Sequence, residues 1–351
     1  MKFLRKYEYF TLPIIAIFFS FVICGFIIAA LGENPFKVYL IFFRSSLMTM
    51  DGIGYTLFYA TPLIFTGLSV AFGFRCGLFN IGAEGQLYMG TIAATLVALS
   101  LDGYSAYWVI PLIFITSFTV GGLWGAVPGV LKATVGAHEV INTIMMNFVA
   151  YGIANYLVTG PFRRQGTQVL ETEYIPEEFQ IFRLNEIFPF INENVPVNAG
   201  FFIAIAACVF VYYFLWKTKW GYEIRSVGFN SPVAENSGIN VKKNIVLSMF
   251  IAGGLSGLLA MHEVFGYRHA FHDNFSNDVG FFGIAIALLG RNHPAGIIPA
   301  ALLFGILNRG GLFLDIYFDN LSADLVMALQ GIIILSVAMD QLFRKLLFYK
   351  N

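Results

Sequence analysis

The chain has 351 residues, is 58% hydrophobic and 12% charged, holds 38 phenylalanines and has no formal net charge at pH 7. That mix excludes an ordinary soluble domain and places the chain in a bilayer, and a zero net charge gives no electrostatic reason to expect a nucleic-acid partner. Cys24, Cys76 and Cys208 lie far apart in or beside apolar runs, which suits small core residues and neither a disulfide framework nor a metal site.

In chain order, Lys2, Arg5 and Lys6 precede an apolar run at 11–31. A cleaved export signal has an apolar core of about 7–15 residues, so this longer run reads as a retained first span. The stretch 35–50, with Lys37 and Arg44 among aromatics, reads as an interfacial helix on the outer side. Runs long enough to cross about 30 Å of hydrocarbon follow at 55–74, 79–100, 107–131, 139–159, 199–216, 245–265, 294–310 and 325–341, with a shorter one at 279–290.

The expectation is an all-α polytopic membrane protein of about ten transmembrane helices, which puts both termini on one side. Basic residues assign the side. Arg344, Lys345 and Lys350 close the chain, and 217–243 carries Lys217, Lys219, Arg225, Lys242 and Lys243, so the termini and this loop are expected in the cytoplasm. The connection 160–198 carries six glutamates and Pro161, Pro176, Pro189 and Pro196, and is expected outside. Five spans per half, about 1–160 and 199–351, would make the halves inverted repeats of a single permease domain. Each half has a broken element, at 75–85 and at 278–296 with Gly280, Gly283, Gly290, Pro294 and Gly296, where such folds place a substrate site.

The first break reads "GLFNIGAEGQ" at 77–86. Asn80 is a suitable N-cap for a helix starting at Ile81, and Glu84 and Gln86 then lie in its first two turns, where a carboxylate meets the positive helix end. A carboxylate in the membrane points to function, with Arg75 either its partner or a marker of the cytoplasmic edge. The same glycines would also serve a plain packing turn.

"GLFNIGAEGQLYMG" resembles the signature of membrane subunits of bacterial ABC importers of the branched-chain amino acid, simple sugar and nucleoside group. So do "EIRSVGFNSPVAENSGINVKK" at 223–243 and "DVGFFGIAIALLGRNHPAGIIPAALLFG" at 278–305. The resemblance is strongest to nucleoside or simple-sugar permeases with an extended external loop. It implies that 217–243 holds the short helix that docks on the ATPase, with Arg225, Gly228, Asn230, Ala234, Glu235, Gly238 and Ile239 in the coupling contact. Pro232 and Glu235 depart from the usual alanine-rich spelling. It also implies a separate ABC ATPase subunit, a second related permease chain as heterodimer partner, and a substrate-binding lipoprotein or periplasmic receptor, all at the bacterial inner membrane.

The chain contains no Gly-Lys pair and hence no phosphate loop, so ATP and magnesium are expected on the partner ATPase and no cofactor on this chain. Thr143, Asn147, Tyr151 and Asn155 recur every four residues as one polar stripe, which either lines the path or bonds helices together. With Asn80, Glu84, Gln86, Asn142, Asp278, Phe281 and Phe282 they form the candidate substrate path, where amides would pair with base edges or sugar hydroxyls and the phenylalanines would stack on a nucleobase or simply pack. His262-Glu263 lacks the second histidine of a zinc-protease helix. His269, His272 and Asp273 suit polar loop residues better than a metal site, and no metal is expected. The leading expectation is a nucleoside permease, the alternative a simple-sugar permease, and a third an ion-coupled transporter using Glu84 or Glu139.

Overall fold

The computed structural model describes residues 8–318, 320–321 and 324–339. The flanking charges Lys2, Arg5, Lys6, Arg344, Lys345 and Lys350 lie outside the described residues. Each apolar run read from the sequence is mainly helical over its described residues, the run 245–265 being divided among two α-helices and a π-helical turn, and no strand forms among the described residues. The order is α1 (Glu8–Ala30), α2 (Pro35–Leu47), α3 (Met50–Arg75), α4 (Ala83–Ser100), α5 (Ala106–Val135), α6 (Glu139–Thr159), α7 (Gly200–Lys217), α8 (Lys219–Phe229), α9 (Ser231–Asn236), α10 (Val241–Gly257), α11 (Ala260–Glu263), α12 (Val279–Leu289), α13 (Pro294–Gly311), α14 (Leu314–Tyr317) and α15 (Asp324–Ala338). Helices satisfy their own backbone polar groups, which is the condition for lying in lipid. Among the described residues, six helical stretches are long and apolar enough to cross a membrane, and α12 and α15 are shorter apolar helices.

Two compact units divide the chain. One comprises Thr61–Ala301 and the other the described residues up to Ala60 and from Leu302 onward. In the latter, Ser20 of α1 donates to Ser336 of α15 at 3.0 Å, and Gln330 of α15 donates to Asn308 of α13 at 2.7 Å. The predicted interfacial segment is α2, capped by Asn34, which accepts from Phe36 N–H at 3.0 Å.

Within Thr61–Ala301 the centre is a seam of small residues joining α4, α5 and α10. A Cβ on Gly253 would overlap the Gly121 carbonyl, and one on Gly90 would overlap Gly257. Side-chain hydroxyls tie the seam together, Ser117 to Gly257 O and Ser256 to Ala83 O, each at 2.6 Å. Backbones that approach this closely gain dispersion contacts where lipid removes the hydrophobic drive between helices. The segment 160–198 is ordered, with two short 3-10 turns at Glu177–Phe179 and Leu184–Glu186. Its Ile175 and Phe179 are buried with Ala94, Ile113, Met261 and Phe265 of the neighbouring helices. A π-helical turn over Val264–Arg268 follows α11 and offers its edge to this segment, with Ile181 N–H reaching Phe265 O at 2.8 Å.

Candidate functional site

The first broken element lies between Arg75, where α3 ends, and Ala83, where α4 begins. The helix start differs from the sequence expectation: Gly82, not Asn80, is the capping position, and it brings no side chain. Asn80 stands two residues earlier and accepts from Gly82 N–H at 3.1 Å. Its amide is also paired with Gln86, Asn80 Nδ2 to Gln86 Oε1 at 2.9 Å and Gln86 Nε2 to Asn80 Oδ1 at 3.0 Å. Two buried amides that satisfy each other avoid the cost of orphaned polar atoms in an apolar interior.

One free N–H group at this helix start, that of Gly85, is met from another helix. Asn147 of α6 accepts from Gly85 N–H at 2.8 Å and donates to Ile81 O at 3.0 Å, so the stripe on α6 is bonding helices at this position. Glu84 does the same service in the opposite direction. One carboxylate oxygen accepts from Gly280 N–H at 2.6 Å and the other from the Ser276 hydroxyl, so Glu84 caps the start of α12. A negative charge at a helix N-terminus is favoured by the peptide dipoles, and orphan N–H groups there need an acceptor. Arg75 donates to the carbonyls of Asn292 at 2.9 Å and Arg291 at 3.3 Å. Glu139, the other carboxylate considered for ion coupling, pairs with Lys132 at 2.9 Å.

The predicted path residues therefore fall into two sets. Asn80, Glu84, Gln86, Thr143 and Asn147 are buried, and Thr143 bonds back to Glu139 O at 2.8 Å. Tyr151 meets Tyr88 edge-on at 4.8 Å, and Asn155 donates to Asp273 at 3.3 Å. Asp278, in the left-handed region at φ 63°, and Phe281 are exposed, while Phe282 is half-buried. Asn142 is half-buried, and its side-chain N–H group has no hydrogen-bond partner among the described residues. Sequence reasoning missed Ser276 and Gly280 as partners of Glu84, and Ser256 as a partner of the α4 backbone. Ser256 and Gly280 in apolar runs were the available signal, whereas Ser276 lies in the polar stretch 272–278.

The basic loop forms α8 and α9. Asn230 caps α9 by accepting from Val233 N–H at 3.2 Å, and Pro232 sits in the first turn, where its missing N–H costs nothing. The departure at Pro232 is thus compatible with a helix start. Ala234 is buried, Glu235 is exposed, and Gly238 ends the turn at φ 82° with Ile239 N–H returning to Ala234 O at 3.1 Å. Arg225 donates to Leu215 O at 3.0 Å. Gly228 lies against the backbone of 75–77, where a Cβ would overlap the Arg75 carbonyl. Phe229, which sequence reasoning passed over, is 96% exposed, and Val233 beside it is also exposed.

His272 and Arg164 both pair with Glu171 at 2.9 Å. The His272 contact links 160–198 to the turn after the π-helix. Burial and the nearby Arg183 hold the His269 imidazole below the usual histidine range. Among the described residues no group of three or more His, Cys, Asp or Glu side chains could hold a metal ion.

Residues 52–338 match the family described as branched-chain amino acid transport system / permease component. The chain is 38% identical over 302 residues to a nucleoside ABC transporter permease protein (NupB) of Lactococcus lactis, covering 85% of this chain and 82% of that one. It is 36% identical over 341 residues to a guanosine ABC transporter permease protein (NupP) of Bacillus subtilis, covering 97% and 96%. A glucose ABC transporter permease protein of Haloferax volcanii is 31% identical over 338 residues, covering 95% and 88%. The same Lactococcus and Bacillus strains each have a second nucleoside or guanosine permease protein, 28% identical to this chain over 71% and 78% of it. No solved structure matches the chain significantly. With its helical fold, its broken elements and this match over most of its length, the chain belongs to the permease-component family of the branched-chain amino acid transport systems, and is an integral membrane permease.

Proposed function

We propose that this chain forms the translocation path of an ATP-driven importer of nucleosides in the bacterial cytoplasmic membrane. The observation that carries the reading is the similarity to nucleoside and guanosine permeases along nearly the whole chain. The glucose permease relative supports the simple-sugar alternative at lower identity. The exposed Phe281 ring at the start of α12, with Phe282 and Asp278 beside it, Tyr151 near Asp278 and Asn155 bonded to Asp273, gives the path an aromatic face and amide and carboxylate groups, and Asn142 adds an amide nearer the start of α6. Such a set suits a nucleoside, whose base stacks and whose ribose and base edges hydrogen-bond. The buried set, Asn80, Glu84, Gln86, Thr143 and Asn147, holds the break in place.

In this reading the ten apolar helices cross the membrane as two inverted five-helix halves, with both termini and 217–243 in the cytoplasm and 160–198 outside. A separate ATPase subunit, which carries the ATP and magnesium, docks on α8 and α9 through Phe229 and Val233, with Arg225, Gly228, Asn230, Ala234, Glu235, Gly238 and Ile239 shaping that surface. A second permease chain completes the path, and the 160–198 segment receives a substrate-loaded receptor protein. Deleting the chain tests the reading in cells. Loss of high-affinity labelled nucleoside uptake with glucose uptake intact is expected, and the reverse pattern contradicts it.

A further inference from the structure

We infer that α12 is a strut clamped at both ends by the hairpin joining α3 to α4, and that Arg75 is the positioning residue tying its far end to the ATPase-docking segment. The inference rests on the ATP-driven import reading above. At the start of α12, Glu84 holds Gly280 N–H and the Ser276 hydroxyl. At its end the chain turns through Gly290, Arg291 and Asn292, and Arg75 donates to the carbonyls of Asn292 and Arg291 at 2.9 and 3.3 Å. The signs match the helix: a carboxylate at the positive N-terminus and a guanidinium at the negative C-terminus. Both grips come from one stretch, 75–84, so the strut cannot move independently of that hairpin without losing one of them.

Between its ends α12 lies directly on α3. A Cβ at Gly283 would overlap Thr66, and one at Gly67 would press into Ile286. Contacts this close resist sliding, because packed interiors switch between discrete arrangements and do not deform smoothly. The clamp then continues to the docking segment. Gly228 at the end of α8 rests on the Arg75–Gly77 backbone with no room for a side chain. The Trp216 ring, just before α8, gathers three cationic or ionisable groups: Arg75 at 5.0 Å, Arg225 at 6.0 Å and the His293 ring at 4.7 Å. A displacement of α8 is thus delivered to Arg75 and to the 291–293 turn together. Eleven helical residues carry it about 16 Å to the Phe281 end, where the proposed path lies.

The test uses the full transporter in proteoliposomes and reads nucleoside imported per ATP hydrolysed. Arg75→Gln is expected to assemble and hydrolyse ATP while this ratio falls about tenfold, a size common for coupling between linked sites. Arg75→Lys, which keeps a charge and donors, is expected to recover part of the ratio. A residue serving only the fold would lower assembly, hydrolysis and uptake together. A second measurement stands apart from Arg75: spin labels at Tyr222→Cys on α8 and Ile284→Cys on α12, with the three buried native cysteines left in place. The strut predicts the same label-to-label distance in the nucleotide-free and vanadate-trapped complexes. A distance that changes between those states overturns it, as does a normal import-to-hydrolysis ratio in Arg75→Gln. A wild-type complex without any ATP-driven uptake would instead overturn the importer reading itself.

Discussion

Asn147→Leu tests how the first helix break is held. Asn147 is 1% exposed and supplies both an acceptor for Gly85 N–H and a donor for Ile81 O. Leucine has nearly the same size and neither group, so two buried backbone groups are left unpaired. Each orphan costs about 1–3 kcal/mol, which sums to about 2–6 kcal/mol. Interhelical hydrogen bonds in membrane proteins measure less, about 0.6 kcal/mol on average, and the added apolar contact offsets part. The net expectation is a loss of about 1–4 kcal/mol, with Asn147→Asp between leucine and wild type because it still accepts from Gly85. The protein carries its own reporter: Cys24, Cys76 and Cys208 are free and buried, so a thiol-reactive fluorophore added during heating follows unfolding in detergent. A midpoint for Asn147→Leu that coincides with wild type would refute the argument that the break depends on a cap from α6.

Gly253→Val should lower the same midpoint more than a lipid-facing substitution such as Phe148→Ala, because a side chain there meets the Gly121 backbone, and overpacking costs about 1–3 kcal/mol or more. Phe229→Asp should leave the melting curve unchanged while abolishing co-purification with the ATPase, since the ring is exposed and touches little of its own chain. Burial and the Arg75 guanidinium hold the His293 imidazole below the usual histidine range, so its neutral form fits the fold. The unfolded chain takes up that proton first, and stability is therefore full above about pH 6.5 and falls as the pH drops below it. His293→Gln should flatten this acid limb, measured as melting midpoint against pH.

The helices were legible because an apolar run of membrane length has few alternatives to helix, and the two breaks were legible from glycine and proline. The exact start of α4 was not. Asn80 is a strong capping residue by type, yet Gly82 permits the chain to turn later, and Asn80 then serves Gln86 instead. The polarity of Glu84 and Asn147 marked them as interior and purposeful, but a single sequence does not say that Gly280 and Ser276 lie across from one and Gly85 across from the other. Those contacts join segments far apart in the chain, as does the grip of Arg75 on the 291–292 carbonyls. Phe229 escaped notice because one more phenylalanine among 38 carries no signal until its exposure is seen. The ordered packing of 160–198 on the π-helical turn was hidden for a similar reason: an acidic, proline-containing connection reads as a surface loop, although Ile175 and Phe179 are core residues.

The most direct test is uptake of radiolabelled guanosine into proteoliposomes that contain this chain with its ATPase, second permease and receptor, with ATP on the ATPase side. The account predicts nucleoside accumulation that requires ATP hydrolysis, persists when the proton and sodium gradients are collapsed, and is not competed by excess glucose. Accumulation of glucose in place of guanosine, or nucleoside uptake driven by an ion gradient without ATP, would contradict it.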